Sequence, residues 1–198
     1  MEKQKLSEFV SFIPGINQSR AEKQFGDQEI NYYDQSSFDE DDKHHGEMSR
    51  DEKINYLFDS EVSLDKRDVV ISNSLQRATM VSEKNIGKVL SLNFTKVEFH
   101  SEKLDKRYFL YLFNQYKDIQ RQKERELQGT GPVQRLTKQS LEQLVIPVVS
   151  SSEQQRIGEI YIETLKIQSK LSQYARLTEQ FAGSILEKSL EGDRKSVV

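Results

Sequence analysis

At 198 residues the chain is long enough to bury a core in one or two small domains, and with 35% hydrophobic against 31% charged residues it reads as a polar protein with long exposed helices. No run of 18 apolar residues, no cysteine and no apolar segment after Met1-Glu2-Lys3-Gln4-Lys5 occur, which argues against a membrane span, disulfides, thiolate metal sites and a secretion signal and fits a reducing cytoplasm. The formal net charge of −3 is uneven: residues 1–60 hold 7 Lys+Arg against 14 Asp+Glu, residues 61–150 hold 15 against 11, and residues 151–198 hold 7 of each, so the middle of the chain can present a basic face.

Leu6, Phe9, Val10 and Ile13 fall at i, i+3, i+4, i+7 and predict a short amphipathic helix, stopped by Pro14-Gly15. Ile16 to Gly26 is polar and reads as a loop, Ile30 to Tyr33 as a short strand, and Asp34 to Asp51 as an acidic surface loop. Val69-Val70-Ile71 predicts a buried strand. Leu90, Leu92 and Phe94, then Val97 and Phe99 one step out of phase, predict a strand pair or a bulged strand. Leu104 to Leu127 is expected to be helical, with an aromatic stripe and a charged, solvated far end at Lys117 to Arg125. After the break at Gly129-Thr130-Gly131-Pro132, Val133 to Leu136 and Val145 to Val149 are candidate strands around a short helix carrying Leu141 and Leu144.

The strongest pattern is C-terminal. Ile157, Ile160, Thr164, Ile167, Leu171, Tyr174, Thr178, Phe181 and Ile185 step by 3 and 4 without a miss, a heptad seam over four heptads. Ser151 and Ser152 are candidate caps with Gln154 and Gln155 as capping-box partners, and the helix is expected from about Glu153 to Ser189, about 55 Å at 1.5 Å per residue, ending at Gly192. Tyr161, Leu165, Leu177 and Leu186 widen the apolar surface. A stripe this long needs a partner helix, and a homodimer supplies one.

Catalytic signatures are scarce. There is no Gly-x-Gly-x-x-Gly, no P-loop and no Asn-Pro-Pro-aromatic motif; Pro14, Pro132 and Pro147 are never adjacent. His44-His45 beside Asp39, Asp41 and Asp42 has metal-ligand chemistry but no framework to fix it, so no metal is assigned. Asp27, Asp41 and Lys43 loosely match the acidic pair and lysine of a metal-dependent nuclease, as Asp51-Glu52-Lys53 does, and such short matches arise by chance. Asn17-Gln18-Ser19-Arg20 holds the amide and guanidinium groups that read base edges bidentately, on a stretch equally compatible with plain surface loop. Ser72-Asn73-Ser74 with Gln76 and Arg77 repeats that chemistry just past a buried strand, with Ser72, Asn73 and Arg77 expected to face DNA, and Lys84 and Lys88 are weaker phosphate candidates.

The order of these pieces resembles the specificity subunits of type I restriction–modification systems. Leu6-Ser7-Glu8-Phe9 to Gly15, Asn17-Gln18-Ser19-Arg20 and Ile30-Asn31-Tyr32-Tyr33-Asp34 look like the opening of a target-recognition domain; Asp68-Val69-Val70-Ile71-Ser72, Leu90-Ser91-Leu92-Asn93-Phe94 and Tyr108-Phe109-Leu110-Tyr111-Leu112 match its middle. Gln134-Arg135-Leu136 through Leu141-Glu142-Gln143-Leu144-Val145-Ile146-Pro147 to Glu153-Gln154-Gln155-Arg156-Ile157 looks like the family's passage into its long helix. The family carries two such units per chain; this chain carries one. The resemblance implies an α+β fold: one mixed α/β recognition domain at 1–150, a long coiled-coil helix at 151–191 for dimerisation and methyltransferase docking, and a tail at 192–198. It implies a non-catalytic subunit that binds double-stranded DNA, reads one half-site per chain and pairs as a homodimer to recognise a split palindrome. Its partners would be a DNA adenine methyltransferase subunit, which would carry the S-adenosylmethionine, and a restriction/translocase subunit. The competing reading is a homodimeric coiled-coil regulator or decoy of the methyltransferase without base readout, which the acidic first third favours.

Overall fold

Short runs of β-branched and aromatic residues, far apart in sequence, share one sheet. The computed structural model describes residues 2–26, 29–44, 60–100, 103–126 and 135–195. Its strands and helices in chain order are β1 (Glu2–Lys5), β2 (Val10–Pro14), α1 (Gln18–Phe25), β3 (Tyr32–Tyr33), α2 (Gln35–His44), β4 (Val69–Ser72), β5 (Arg77–Met80), β6 (Val89–Leu90) and β7 (Phe94–Phe99). Then come α3 (Lys106–Gln115), α4 (Lys117–Glu126), α5 (Lys138–Glu142), β8 (Val145–Val148) and α6 (Ser151–Lys195). The chain divides into two compact units, Met1–Ile162 and Glu163–Val198.

The main sheet has the order β2-β7-β4-β5, antiparallel throughout. β4 is buried along its whole length, as its Val-Val-Ile run predicts. In β2, Val10 and Phe12 are buried while Ser11 and Ile13 are half-buried, the period of a strand. The amphipathic helix expected over Leu6 to Ile13 is therefore a single 3-10 turn at Leu6–Glu8 followed by β2. Eight residues with five apolar side chains fit either period, and pairing with β7 (Val10↔Phe99, Phe12↔Val97) decides it.

Two smaller ladders close the fold. β1 pairs with β8 from Glu2↔Val148 to Lys5↔Val145, and the Leu6 amide donates to Leu144 O at 2.8 Å. β3 pairs parallel with β6, Tyr32↔Val89 and Tyr33↔Leu90. The expected strand pair over Leu90 to Phe99 is not a hairpin: β6 and β7 belong to different sheets, and Leu92-Asn93 is the turn between them.

Four further expectations are corrected. The stretch Ile16 to Gly26, read as a loop, contains α1, and Asn17 caps it by accepting from the Arg20 amide at 2.9 Å. The acidic stretch after Asp34, read as a surface loop, contains α2. Phe38 and Asp41, three apart, face inward from it and are fully buried, while the Asp34 carboxylate accepts from the Ser37 amide at 2.9 Å. The helix expected over Leu104 to Leu127 breaks at Tyr116, whose ψ of 119° is extended, giving α3 and α4. The charged far end is not wholly solvated, because Lys123 is buried. Asp105 caps α3, accepting from the Arg107 and Tyr108 amides at 2.8 and 3.0 Å. The strand expected over Val133 to Leu136 begins outside the described residues.

α6 is one unbroken helix that extends past Gly192. Ser150, rather than Ser151 or Ser152, stands at its start, its hydroxyl facing the Glu153 amide at 3.4 Å. Gln154 is buried and not a capping-box partner: it accepts from the Asp105 amide at 2.9 Å and donates to Lys103 O and Val149 O at 3.0 Å. Within the first unit Gly158 lies against α3; a Cβ there would meet Arg107 Cβ at 2.7 Å and Tyr108 N at 2.8 Å. Tyr161 is buried, and its hydroxyl accepts from Asn114 Nδ2 at 3.1 Å. In the second unit Ile167, Leu171, Tyr174, Phe181 and Ile185 are exposed.

Candidate nucleic-acid interface

Strand register places the candidate readers. Pro14 at the end of β2 faces Thr95 near the start of β7, Ser72 at the end of β4 faces Phe94, and Arg77 at the start of β5 faces Ser72. The chain leaving β2, the turn between β6 and β7 and the turn between β4 and β5 therefore share one end of the sheet. Gly15 makes the first of these approaches possible. Its amide donates to Phe94 O at 2.9 Å, and a Cβ there would fall 2.0 Å from Ser91 O.

Asn17, Gln18, Ser19 and Arg20 form the exposed cap and first turn of α1 at this end. The Asn17 carbonyl oxygen is engaged in the cap and Gln18 Nε2 donates to Glu22 Oε1 at 2.8 Å. Ser72, expected to face DNA, is fully buried; its hydroxyl closes the turn, accepting from the Leu75 amide at 3.3 Å. Asn73 is half-buried and laces three segments together: its amide donates to Asn93 O at 3.0 Å, its carbonyl accepts from Leu136 N at 3.2 Å, and its side-chain oxygen accepts from Thr95 Oγ1 at 3.0 Å.

Arg77, Lys84 and Lys88 form a second group along α2. Arg77 pairs with Asp42 at 3.1 Å, Lys84 with Glu40 at 2.5 Å, and Lys88 donates to Ser37 Oγ at 2.9 Å. Arg77 belongs to both groups, since it opens β5. Behind α2 lies a buried polar knot. Asp41 accepts from the Tyr33 hydroxyl at 2.8 Å, the Ser82 amide at 3.1 Å and Asn85 Nδ2 at 2.8 Å. Burial raises the Asp41 carboxyl above its ordinary range despite these donors, and burial beside Asp41 raises the Tyr33 phenol.

The β4–β5 turn has an anchor that sequence reasoning assigned to solvent. Lys123 on α4 is 1% exposed and donates to Gln76 O and Phe113 O, each at 2.8 Å, with its ammonium 4.4 Å from the centre of the Phe113 ring. Burial, with Arg77 nearby, lowers its pKa to about 8. Gln76 itself holds a left-handed φ of 55°. Leu75, Leu92 and Asn93 were also missed as surface groups at this end. The Leu90-Leu92-Phe94 alternation hid a turn that Asn93 signals.

His45, Asp27 and Asp51-Glu52-Lys53 lie outside the described residues, and among the described residues no cluster of three His, Asp or Glu side chains is placed to hold a metal. Among them, too, no helix is long and apolar enough to cross a membrane. The arrangement presents amides, a guanidinium and turn backbone at one end of a sheet, which is hydrogen-bonding surface.

No curated protein matches the chain. Among solved structures it is similar to a chain from a study titled "Structural basis underlying complex assembly and conformational transition of the type I R-M system", at 16% identity and a TM-score of 0.60, covering 95% of this chain and 44% of that one. It is also similar to the HsdS subunit from Thermoanaerobacter tengcongensis, at 15% identity and a TM-score of 0.51, covering 88% and 39%. The chain thus spans less than half the length of these relatives, and the likeness shows a shared fold. Residues 16–179 match the family model described as type I restriction modification DNA specificity domain. The match covers most of the chain and runs from the α1 cap into α6, so the chain belongs to the type I restriction modification DNA specificity domain family.

Proposed function

We propose that this chain is a non-catalytic specificity subunit that reads one half-site of a split DNA target through the sheet end formed by Asn17–Arg20 and the Asn73 turn. The observation that carries this reading is the convergence of exposed amide and arginine side chains, with turn backbone, at one end of the β2-β7-β4-β5 sheet. Gln18, Ser19 and Arg20 stand as base-edge readers, Asn73 and Ser72 as the residues that shape the neighbouring turn, and Arg77, Lys84 and Lys88 as phosphate contacts.

Residues 1–150 are proposed as the recognition domain, 151–191 as the helix for pairing and methyltransferase docking, and 192–198 as the tail. The exposed side chains of Ile160, Ile167, Leu171, Tyr174, Phe181 and Ile185 support helix pairing, because a stripe of this length in water calls for a partner. Two copies in a closed two-fold dimer read an inverted repeat whose half-site centres lie about one helical turn, roughly 35 Å, or a near multiple apart. The adenine methyltransferase subunit, carrying S-adenosylmethionine, and the translocase subunit dock on this assembly.

The test is co-expression with the co-encoded methyltransferase and mapping of methylated sites. A palindromic split target supports the reading; a non-palindromic target with this chain as sole specificity subunit, or no sequence preference, refutes it. A decoy role is the second reading. It is favoured by α2, whose Asp42 and Glu40 already hold Arg77 and Lys84, and it predicts a methyltransferase complex without salt-dependent, sequence-specific DNA binding.

A further inference from the structure

Among the described residues that precede α6, the large hydrophobic side chains that are exposed are Leu75, 48% exposed, and Leu92, 58% exposed. A single exposed leucine is ordinary on a protein surface. These two share the sheet end described above: Leu75 in the turn between β4 and β5, Leu92 in the turn between β6 and β7. The turns are tied together by the Asn73 amide on Asn93 O at 3.0 Å.

Both tips are held from beneath. Ser72 Oγ accepts the Leu75 amide at 3.3 Å and Lys123 grips Gln76 O at 2.8 Å, while the Phe94 amide closes the other turn on Ser91 O at 3.0 Å. Two aliphatic side chains are thus presented on pinned backbone, so little freedom is lost when they meet a partner. The same end of the sheet carries the exposed side chains of Asn17, Gln18, Arg20 and Asn93, the hydrogen-bonding types that read base edges. A surface that intersperses amides and guanidinium with isolated aliphatics matches a major-groove floor, where the apolar feature a base offers is the thymine C5-methyl.

We propose that Leu75 and Leu92 are specificity-determining residues that contact thymine C5-methyl groups in the major groove. The proposal rests on the DNA-reading assignment and adds to it an apolar term that favours A·T pairs at particular half-site positions. One methyl taken out of water corresponds to about 0.8 kcal/mol, or roughly fourfold in affinity.

The test uses the full chain purified with its methyltransferase and duplexes carrying the mapped target, with each half-site dT replaced in turn by dU, which keeps the pairing edge and lacks the methyl. The expected result is a loss of about fourfold at one or more positions for the wild type. L75A or L92A should lose a similar amount on the dT duplex and show no further loss on dU at its own position. Both side chains are exposed, so an unchanged melting temperature separates this effect from misfolding. A half-site with no A·T pair overturns the proposal, as does equal affinity for dT and dU with both variants binding like the wild type. Loss of methyltransferase from the alanine variants, with DNA affinity per complex intact, marks the patch as a protein contact and also overturns it. A wild-type complex with no sequence-specific binding at all defeats the DNA-reading assignment itself.

Discussion

Replacing Lys123 with Met separates the anchor of the β4–β5 turn from the stability of the domain. The wild-type ammonium is buried and, among the described residues, has no carboxylate in salt-bridge contact, and its pKa of about 8 against an unfolded value of 10.5 amounts to about 3 kcal/mol of destabilisation at pH 7. Methionine removes that term and keeps the bulk against Phe113. It also deprives Gln76 O of its donor, a loss of about 1–3 kcal/mol, and removes the ammonium–ring contact, about 1 kcal/mol. Phe113 O keeps the Gln120 Nε2 donor at 2.9 Å, so it adds little. The terms nearly cancel, and K123M should match wild-type stability at pH 7 to within about 1–2 kcal/mol. The pH dependence is more telling. Between pH 8 and 10.5 the unfolded chain binds the lysine proton and the folded chain has released it, so wild-type stability rises with pH. From pH 7 to pH 10 the gain from this group is about 2–3 kcal/mol, and K123M lacks it. Urea unfolding at pH 7, 8, 9 and 10, compared between the two proteins, reads the difference directly. Parallel curves, or a K123M chain that fails to fold at pH 7, refute the account of Lys123 as a strained but well-bonded anchor.

Other perturbations follow from the same contacts. Gly158→Ala gains helix propensity yet puts a Cβ against Arg107 Cβ and Tyr108 N, so thermal melting should show a net loss of about 1–3 kcal/mol; an unchanged or raised melting temperature contradicts the close packing of α6 on α3. Asp41→Asn can keep its carbonyl oxygen on the Ser82 amide and Asn85 Nδ2, which share one carboxylate oxygen, and turn its NH2 toward the Tyr33 hydroxyl, which can accept, so thermal melting at pH 7 should show a loss of no more than about 1–2 kcal/mol. Because the Asp41 pKa is raised on folding, the folded chain binds the extra proton above pH 3.8, and this group's contribution to stability grows as pH falls toward that value; the asparagine variant lacks that slope. Ile167→Asp with Leu171→Asp alters side chains that are exposed in the single chain, so circular dichroism should be unchanged while sedimentation shows monomer; a dimer that survives both charges argues against pairing through the seam. Arg20→Ala should weaken DNA binding by about 1–3 kcal/mol if the guanidinium reads a guanine, and unchanged affinity and target preference count against that role.

What was legible in the sequence was what a single segment decides by itself. β4 and β8 follow from short Val/Ile runs, the short helix at Leu141 from the apolar pair Leu141 and Leu144, and α6 from an unbroken seam. Elements decided by a distant partner were not. β1 is Glu-Lys-Gln-Lys and becomes a strand through the backbone of β8. α2 shows almost no apolar face because one of its inward side chains is a carboxylate, satisfied by Tyr33, Ser82 and Asn85 from elsewhere in the chain. The candidate site divides the same way. Side-chain chemistry pointed to Asn17–Arg20 and to the turn after β4, but burial of Ser72, the inward grip of Lys123 and the exposure of Leu75 and Leu92 depend on how two turns meet.

The acidic run on α2 is less of an obstacle to DNA than its formal charge suggests. On α2, Asp39 accepts from Gln35 Nε2, Glu40 pairs with Lys84, Asp41 is enclosed in the polar knot and Asp42 pairs with Arg77. The helix therefore neutralises neighbouring cations rather than projecting a uniform negative face. Such partly exposed pairs contribute only about 0–1 kcal/mol each, so a phosphate that competes for Arg77 or Lys84 displaces a weak partner. The same pairing limits what one domain can gain, because each proposed phosphate contact begins with its charge or hydrogen bond already engaged. A single domain would then hold DNA weakly and read it through base-edge and apolar contacts more than through charge. In the proposed dimer, two domains joined through α6 would make the second half-site encounter intramolecular, which raises affinity without new contacts. On the proposed reading, the weakness of each reading surface and the exposed apolar side chains of the long helix would belong together: pairing would supply the affinity that the charge balance of a single chain withholds.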